Sequence, residues 1–229
     1  QDRARVEARA ATEALVTGDS LGALHGLPFG VKDLNDTEGV VTTYGSPLYR
    51  AHVPTKYELL VAKLRLAGGF LLGKTATPEF GAGGNTTVNE VHGYTRNAFD
   101  PDRACGGSSG GSGVALACGM MPLCTGSDSG GSLRKPATFS GVSAIRPTTG
   151  LVPSDKRGVG FTNLSVQGPM ARTAEDCALM LSIMAGNDTA DPLSFNVDGA
   201  DYRTVPEIDL TQPVSYTHLE PTRRTTISY

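Results

Sequence analysis

The residue pattern predicts an α/β fold, a sheet covered by helices on both faces. Short apolar runs of strand length alternate with segments of helical spacing. Glycines punctuate the joins between them. A hydrophobic passage, residues 114–124, also interrupts the most glycine-rich stretch, so that stretch must lie against a core.

The elements follow in chain order. Residues 1–17 read as a helix, with Val6, Ala10, Ala14 and Leu15 on one stripe among Arg and Glu. Leu27-Pro28-Phe29-Gly30-Val31 reads as a strand ending at Lys32-Asp33. Thr55-Lys-Tyr-Glu58 has the form of a capping box. It opens a helix in which Leu59, Leu60, Leu64 and Leu66 keep helical spacing up to the stop at Gly68-Gly69. Phe70-Leu71-Leu72 reads as a buried strand, 109–118 as a helix of small residues, and 120–125 as a further buried strand. Thr173 caps a last helix that runs to Met184 and closes at Gly186.

Composition narrows the function classes. With 229 residues, 39% hydrophobic and 19% charged, the chain has an ordinary globular balance. A net charge of −3 offers no basic footprint for nucleic acid. No apolar run approaches the ~20 residues of a membrane span. Cys105, Cys118, Cys124 and Cys177 show no C-x-x-C spacing, so neither a zinc module nor a disulfide scaffold is expected. No signal-peptide pattern follows Gln1, and a cytoplasmic location is expected. Residues 215–229 lack helix or strand periodicity and resemble translated adapter sequence, so they are expected to be non-native.

The departure from average is glycine. Of 29 glycines, nine fall between Gly106 and Gly131, in company with six serines up to Ser132. A flexible linker would not carry a core segment in its middle. A phosphate loop would need G-x-x-x-x-G-K-[ST], or a G-x-G-x-x-G after a strand, and neither is present. Gly106-Gly-Ser108-Ser-Gly110 fits a G-x-S-x-G nucleophile elbow, but the only later histidine is His218. Ser132-Leu-Arg-Lys135 fits S-x-x-K without the partner motifs of that class.

What remains is a hydrolase without histidine. A serine hydroxyl then needs another base, and a lysine can serve if burial keeps it neutral near pH 7. That costs about 4 kcal/mol from an ordinary pKa of ~10.4. Lys32, at the end of an apolar strand, is the lysine placed for it, although spacing alone favours a surface lysine beside Asp33.

Gly30-Val-Lys32-Asp33, Gly106-Gly-Ser108-Ser-Gly-Gly-Ser112 and Gly126-Ser-Asp128-Ser-Gly-Gly-Ser132-Leu-Arg134-Lys-Pro136-Ala137 together resemble the amidase signature family. Arg146-Pro-Thr148 and Gly168-Pro-Met-Ala-Arg172 extend the resemblance, which runs from about Val6 to about Asn187. It implies a mixed β-sheet with helices on both faces, of which residues 1–214 form the N-terminal portion. It implies amide C–N hydrolysis through a Ser-cisSer-Lys triad and an acyl-enzyme, with no cofactor and no metal. Ser132 is then the nucleophile, Ser108 the bridging serine and Lys32 the neutral base. Backbone N–H groups of Ser129, Gly130, Gly131 and Ser132 form the oxyanion hole, with glycine at 130 and 131 keeping the approach clear. Asp128 and Arg134 form a supporting ion pair. Ser109 and Ser112 are expected to bond backbone, and residues 84–87 to line the acyl side of the pocket. The partner expected is a small-molecule amide, with neither nucleic acid nor membrane, and a homodimer is one option.

An alternative within the family is the glutamine-hydrolysing A subunit of an aminoacyl-tRNA amidotransferase, whose partner is a B subunit. Such A subunits carry Thr where Ser129 stands and Tyr-Gly-Arg where Thr149-Gly-Leu151 stands, which favours the free-standing amidase. Family members are about twice as long as this chain. The isolated chain is therefore expected to be poorly folded and inactive, with apolar surface where further strands would pack.

Overall fold

A computed structural model describes residues 2–19 and 21–204. The expected tail, 215–229, lies outside the described residues, as does the boundary at 214.

Five strands form one mixed sheet in the order β2-β1-β5-β7-β6. β1 (Pro28–Lys32) lies between β2 (Phe70–Thr75) and β5 (Leu123–Asp128), parallel to both. β7 (Val166–Ala171) runs antiparallel to β5 along its whole length, and the short β6 (Ser143–Ala144) runs antiparallel to β7. A separate hairpin joins β3 (Thr87–Asn89) to β4 (Gly93–Thr95).

Side chains alternate across the sheet, and each face has its own core. On one face Phe29, Val31, Leu71 and Leu123 pack with α2 (Leu59–Leu66) and α5 (Ala174–Met184), through Leu60, Leu64, Met180 and Met184. On the other, Cys124 and Met170 pack with α3 (Gly110–Ala117) and α4 (Arg134–Ser140), through Leu116, Leu133 and Ala137. Helices thus cover both faces. Among the described residues no helix is long and apolar enough to cross a membrane.

Three helix ends are instructive. Thr173 caps α5 by accepting the Asp176 N–H at 3.1 Å, and the chain leaves that helix at Gly186 with φ +130°. Ser109 precedes α3 as its N-cap without a side-chain capping bond. The capping box at Thr55 does not form. α2 starts after Glu58, whose side chain makes no cap bond. Asp155 accepts the Leu59 N–H at 3.1 Å instead, while the Glu58 carboxylate turns inward.

Other expectations shift as well. α1 (Asp2–Thr17) buries only Ala4, and Val6 and Leu15 of the expected stripe are exposed. Leu66 is 86% exposed and Val61 fills the buried position next to Leu60 instead, because the covered arc of this two-turn helix ends at Leu64. β5 begins at Leu123 and runs on to Asp128, three residues beyond the expected strand. β7 contains Pro169, which lacks an N–H and so reads as a strand breaker. Its carbonyl accepts the Ile145 N–H at 3.2 Å on the β6 side, so the N–H it lacks would face the end of that two-residue strand and not the β5 ladder.

Two of the four leucines of α2 make a test. Leu64→Ala should lower the urea-unfolding free energy by about 3 kcal/mol, the usual cost of emptying a buried leucine site. Leu66→Ala should change it by less than about 0.5 kcal/mol. Equal losses at the two positions would contradict the packing described.

Candidate active site

Lys32 is the last residue of β1 and its side chain is fully buried. Alternation from Val31, which faces α2 and α5, turns Lys32 toward α3. Its Nζ donates to three hydroxyls: Ser108 Oγ at 2.7 Å, Ser109 Oγ at 2.9 Å and Ser127 Oγ at 2.9 Å. Burial pulls the Lys32 amine down to about 7, against an opposing pull from the Asp128 charge. A lysine in this state exchanges its proton near neutrality.

Glycine brings the serines to it. The Gly107–Ser108 peptide is cis, just ahead of α3. A Cβ on Gly111 would come within 2.3 Å of the Ala76 backbone nitrogen, and one on Gly107 within 2.4 Å of the Thr86 carbonyl oxygen. Side chains at either position would therefore force this segment off β2 and the 81–87 loop. That loop lies over the serines: Thr87 Oγ1 donates to the Gly106 carbonyl at 2.9 Å, and a Cβ on Gly81 would sit 3.4 Å from Ser108 Oγ.

Ser132 is half-buried in the turn between β5 and α4. Its carbonyl accepts the Ser109 N–H at 3.2 Å, which ties the two serine segments together. Lys32 and Ser108 are bonded directly, whereas among the described residues the Ser132 hydroxyl makes no hydrogen bond. Of the four backbone amides expected at an oxyanion hole, that of Gly131 donates to Asp128 Oδ1 at 2.7 Å. The N–H groups of Ser129, Gly130 and Ser132 have no acceptor among the described residues. Gly131, at φ +107°, needs to be glycine for its backbone. A Cβ on Gly130 would meet no protein atom within 4 Å.

Asp128 closes the turn from beneath. It is fully buried and accepts the N–H of Gly131 and that of Leu133 at 3.2 Å, and a two-pronged bond from Arg134 at 3.0 and 3.1 Å. Arg146 stands 3.4 Å away. Burial pushes the carboxyl up, but Arg134 and the two amides outweigh it and hold the group well below the usual carboxylate range.

Ser112 bonds the Thr125 carbonyl at 2.8 Å and Thr75 Oγ1 at 2.7 Å, in place of any contact with Lys32. Ser109 bonds the Ser127 backbone and also accepts a hydrogen bond from Lys32 Nζ, a double role that its place in the motif does not reveal. Ser127 carries no expected role in the sequence motifs. It reaches Lys32 because β1 and β5 are neighbours, and strand order is not written in one sequence. Among the described residues no cluster of three or more His, Cys, Asp or Glu side chains could hold a metal ion.

Known proteins share this fold. The family model described as Amidase matches residues 1–212. The chain belongs to the amidase family. An acylamidase of Rhodococcus erythropolis is 45% identical over 178 residues, 78% of this chain and 37% of the relative. The A subunit of the glutamyl-tRNA(Gln) amidotransferase of Chloroflexus aurantiacus is 41% identical over 89% of this chain and 42% of its own length. Among solved structures, a bacterial aryl acylamidase of the amidase signature family superposes with TM-score 0.79 at 34% identity, covering 86% of this chain and 41% of that one. The peptide amidase of Stenotrophomonas maltophilia gives 0.76 at 33% identity, over 83% and 40%. The amidase chain described here thus spans about two fifths of the length of these relatives, and its mixed sheet is theirs.

Asp128 supplies a pH test. A carboxyl held low in the folded state contributes stability that is complete above its unfolded pKa of ~3.9 and lost as pH falls toward the folded value. Asp128→Asn should cost about 3 kcal/mol, the scale for breaking a buried ion pair. In urea titrations the gap to wild type should hold from pH 5 to 8 and narrow below about pH 4. A gap that stays constant down to pH 2 would count against this account.

Proposed function

We propose that this amidase-family chain carries the acyl-transfer centre of an enzyme that hydrolyses carboxylic amides. Lys32, Ser108 and Ser132 do the chemistry. The observation that carries the proposal is the fully buried Lys32 amine bonded to Ser108 Oγ at 2.7 Å, with serine hydroxyls rather than a histidine around it.

In this reading neutral Lys32 takes the Ser108 proton while Ser108 takes that of Ser132. Ser132 Oγ then attacks the amide carbonyl. The tetrahedral oxyanion forms against backbone amides of the 129–132 turn, of which those of Ser129, Gly130 and Ser132 have no other acceptor among the described residues. Gly131 joins them only if its bond to Asp128 is exchanged. The proton returns through Ser108 to the leaving nitrogen, the C–N bond breaks, and an amine or ammonia departs. Water attacks the resulting ester by the same relay, which frees the acid and restores Ser132. Asp128 and Arg134 hold the turn and take no chemical step.

The acylamidase and peptide amidase relatives favour a free-standing amidase acting on small amides. A second reading, the glutamine-hydrolysing component of an amidotransferase, rests on the A-subunit relatives at 41% identity. Ammonia release from glutamine that requires an added partner protein would select it.

Fluorophosphonate labelling of the protein expressed from its full-length gene tests the centre. Label should attach at Ser132 and vanish in Ser132→Ala. Lys32→Met should slow it by about 10²-fold or more, the usual contribution of a general base. The wild-type rate should climb tenfold per pH unit to a midpoint near 7, because only the neutral amine accepts a proton. Labelling that persists in Ser132→Ala, or ignores Lys32→Met, would remove the mechanism.

A further inference from the structure

Glu58 is buried just ahead of α2, on the face of the sheet opposite α3. It caps nothing, and its partners are amides rather than a cation. Oε1 accepts Asn35 Nδ2 at 3.0 Å and Gln167 Nε2, and Oε2 accepts the Asp36 N–H at 3.0 Å. Burying a carboxylate in this way is expensive unless it organises something.

What it organises is traceable bond by bond. Asn35 Oδ1 accepts Thr125 Oγ1–H at 3.1 Å, and Thr125 Oγ1 accepts the backbone N–H of Lys32 at 2.9 Å. The Asn35 N–H returns to the Lys32 carbonyl at 2.9 Å. Glu58, Asn35, Thr125 and Lys32 are all buried. Regular pairing of β1 with β5 stops at Gly30–Cys124. Beyond that point the side chain of Thr125 does for Lys32 what a strand ladder would otherwise do. Both backbone groups of Lys32 are thus engaged by residues that Glu58 holds in place, one through Asn35 alone and one through Asn35 and Thr125.

We propose that Glu58 is a positioning residue, which acts through Asn35 and Thr125 to hold the end of β1 so that the Lys32 amine stays sealed among Ser108, Ser109 and Ser127. The inference deepens the amidase reading and rests on it for its purpose. The charged groups that act on Glu58 and Lys32 are few. Asp155 lies near Glu58, Lys74 feels the Glu58 charge, and Asp128 acts on Lys32 from β5. Thr125 and Asn35 carry no charge, so changing them alters the fit of Lys32 without altering the local field.

The test reads Lys32 itself and does not require turnover. The full chain carrying 13Cε,15Nζ-lysine is titrated by NMR, and Lys32 is assigned by the signal lost in Lys32→Met. Wild type should show this amine titrating near 7. Thr125→Val keeps the shape of the side chain while removing both hydrogen bonds, and Asn35→Ala breaks the chain one link earlier. Glu58→Gln places a second amide against Asn35, Asp36 and Gln167. In each, water reaches the loosened amine and the Lys32 midpoint should rise by about one pH unit, a tenfold change. Leu64→Ala is the control for general destabilisation and should leave the midpoint in place. A Lys32 midpoint unchanged in Thr125→Val and Asn35→Ala, with native circular dichroism, overturns the positioning role and leaves the amidase reading standing. A wild-type Lys32 that titrates near 10 overturns both. The acid limb of fluorophosphonate labelling should move with the NMR midpoint. A uniform loss of rate at every pH, with no movement of that limb, would speak for a merely structural Glu58.

Discussion

The site depends on taking one amine out of water. Lys32 sits at the end of a strand that is paired on both sides, and its side chain runs between the sheet and α3 to three serine hydroxyls that bond the nitrogen. An ammonium there has three acceptors and little solvent, and a neutral amine has two acceptors for its protons and one hydroxyl to face its lone pair. The environment thus tolerates both forms, which a proton relay demands. A single carboxylate in direct contact would fix the charged form and end the exchange. Among the described residues none is bonded to Nζ.

Such sealing explains the glycine content better than any one catalytic role. α3 opens with Gly110, Gly111 and Gly113, a poor sequence for helix propensity, since each glycine costs up to ~1 kcal/mol there. The structure shows what that cost permits. Gly111 lets the helix backbone touch Ala76, and Gly113 leaves no room even for a methyl beside Ser140, whose Oγ would be 2.7 Å from an added Cβ. On β5, Gly126 makes space for Leu133 at a similar distance, 2.4 Å. The serine segments therefore approach the sheet backbone closely enough for short hydroxyl side chains to reach an amine on the neighbouring strand. Only Gly131 is required by backbone conformation at the 129–132 turn itself.

Most of this could be anticipated from the chain, and the parts that could not share a cause. Strand-like runs around Phe29, Leu71 and Leu123 were legible because they are apolar and bounded by glycine. The serines and Lys32 were legible because three motifs keep their order and resemble a family. β7 was hidden by Pro169, and Ser127 by the fact that its meaning depends on strand order. Glu58 misled because its sequence context, three residues after Thr55, fits a local capping signal that loses to a tertiary demand. In each case the missing information was a contact between segments far apart in sequence. Local patterns report what a segment can do alone, and a buried relay is made from segments that cannot do it alone.

Asp128 shows how the charges are kept compatible. It is the anion that pulls the Lys32 amine toward its charged form, yet it lies on β5, one residue beyond Ser127, which bonds that amine. If its charge acted freely on Lys32, the base would be protonated at neutral pH and useless. Instead Arg134 binds it with two prongs, Arg146 stands 3.4 Å away, and the amides of Gly131 and Leu133 occupy its remaining lone pairs. The two guanidinium charges offset the field of Asp128, and burial, the larger of the two effects on Lys32, decides the outcome. The same bonds anchor the turn that carries Ser132. Fixing the nucleophile and shielding the base are therefore one arrangement, and a change that frees Asp128 from Arg134 would disturb both together.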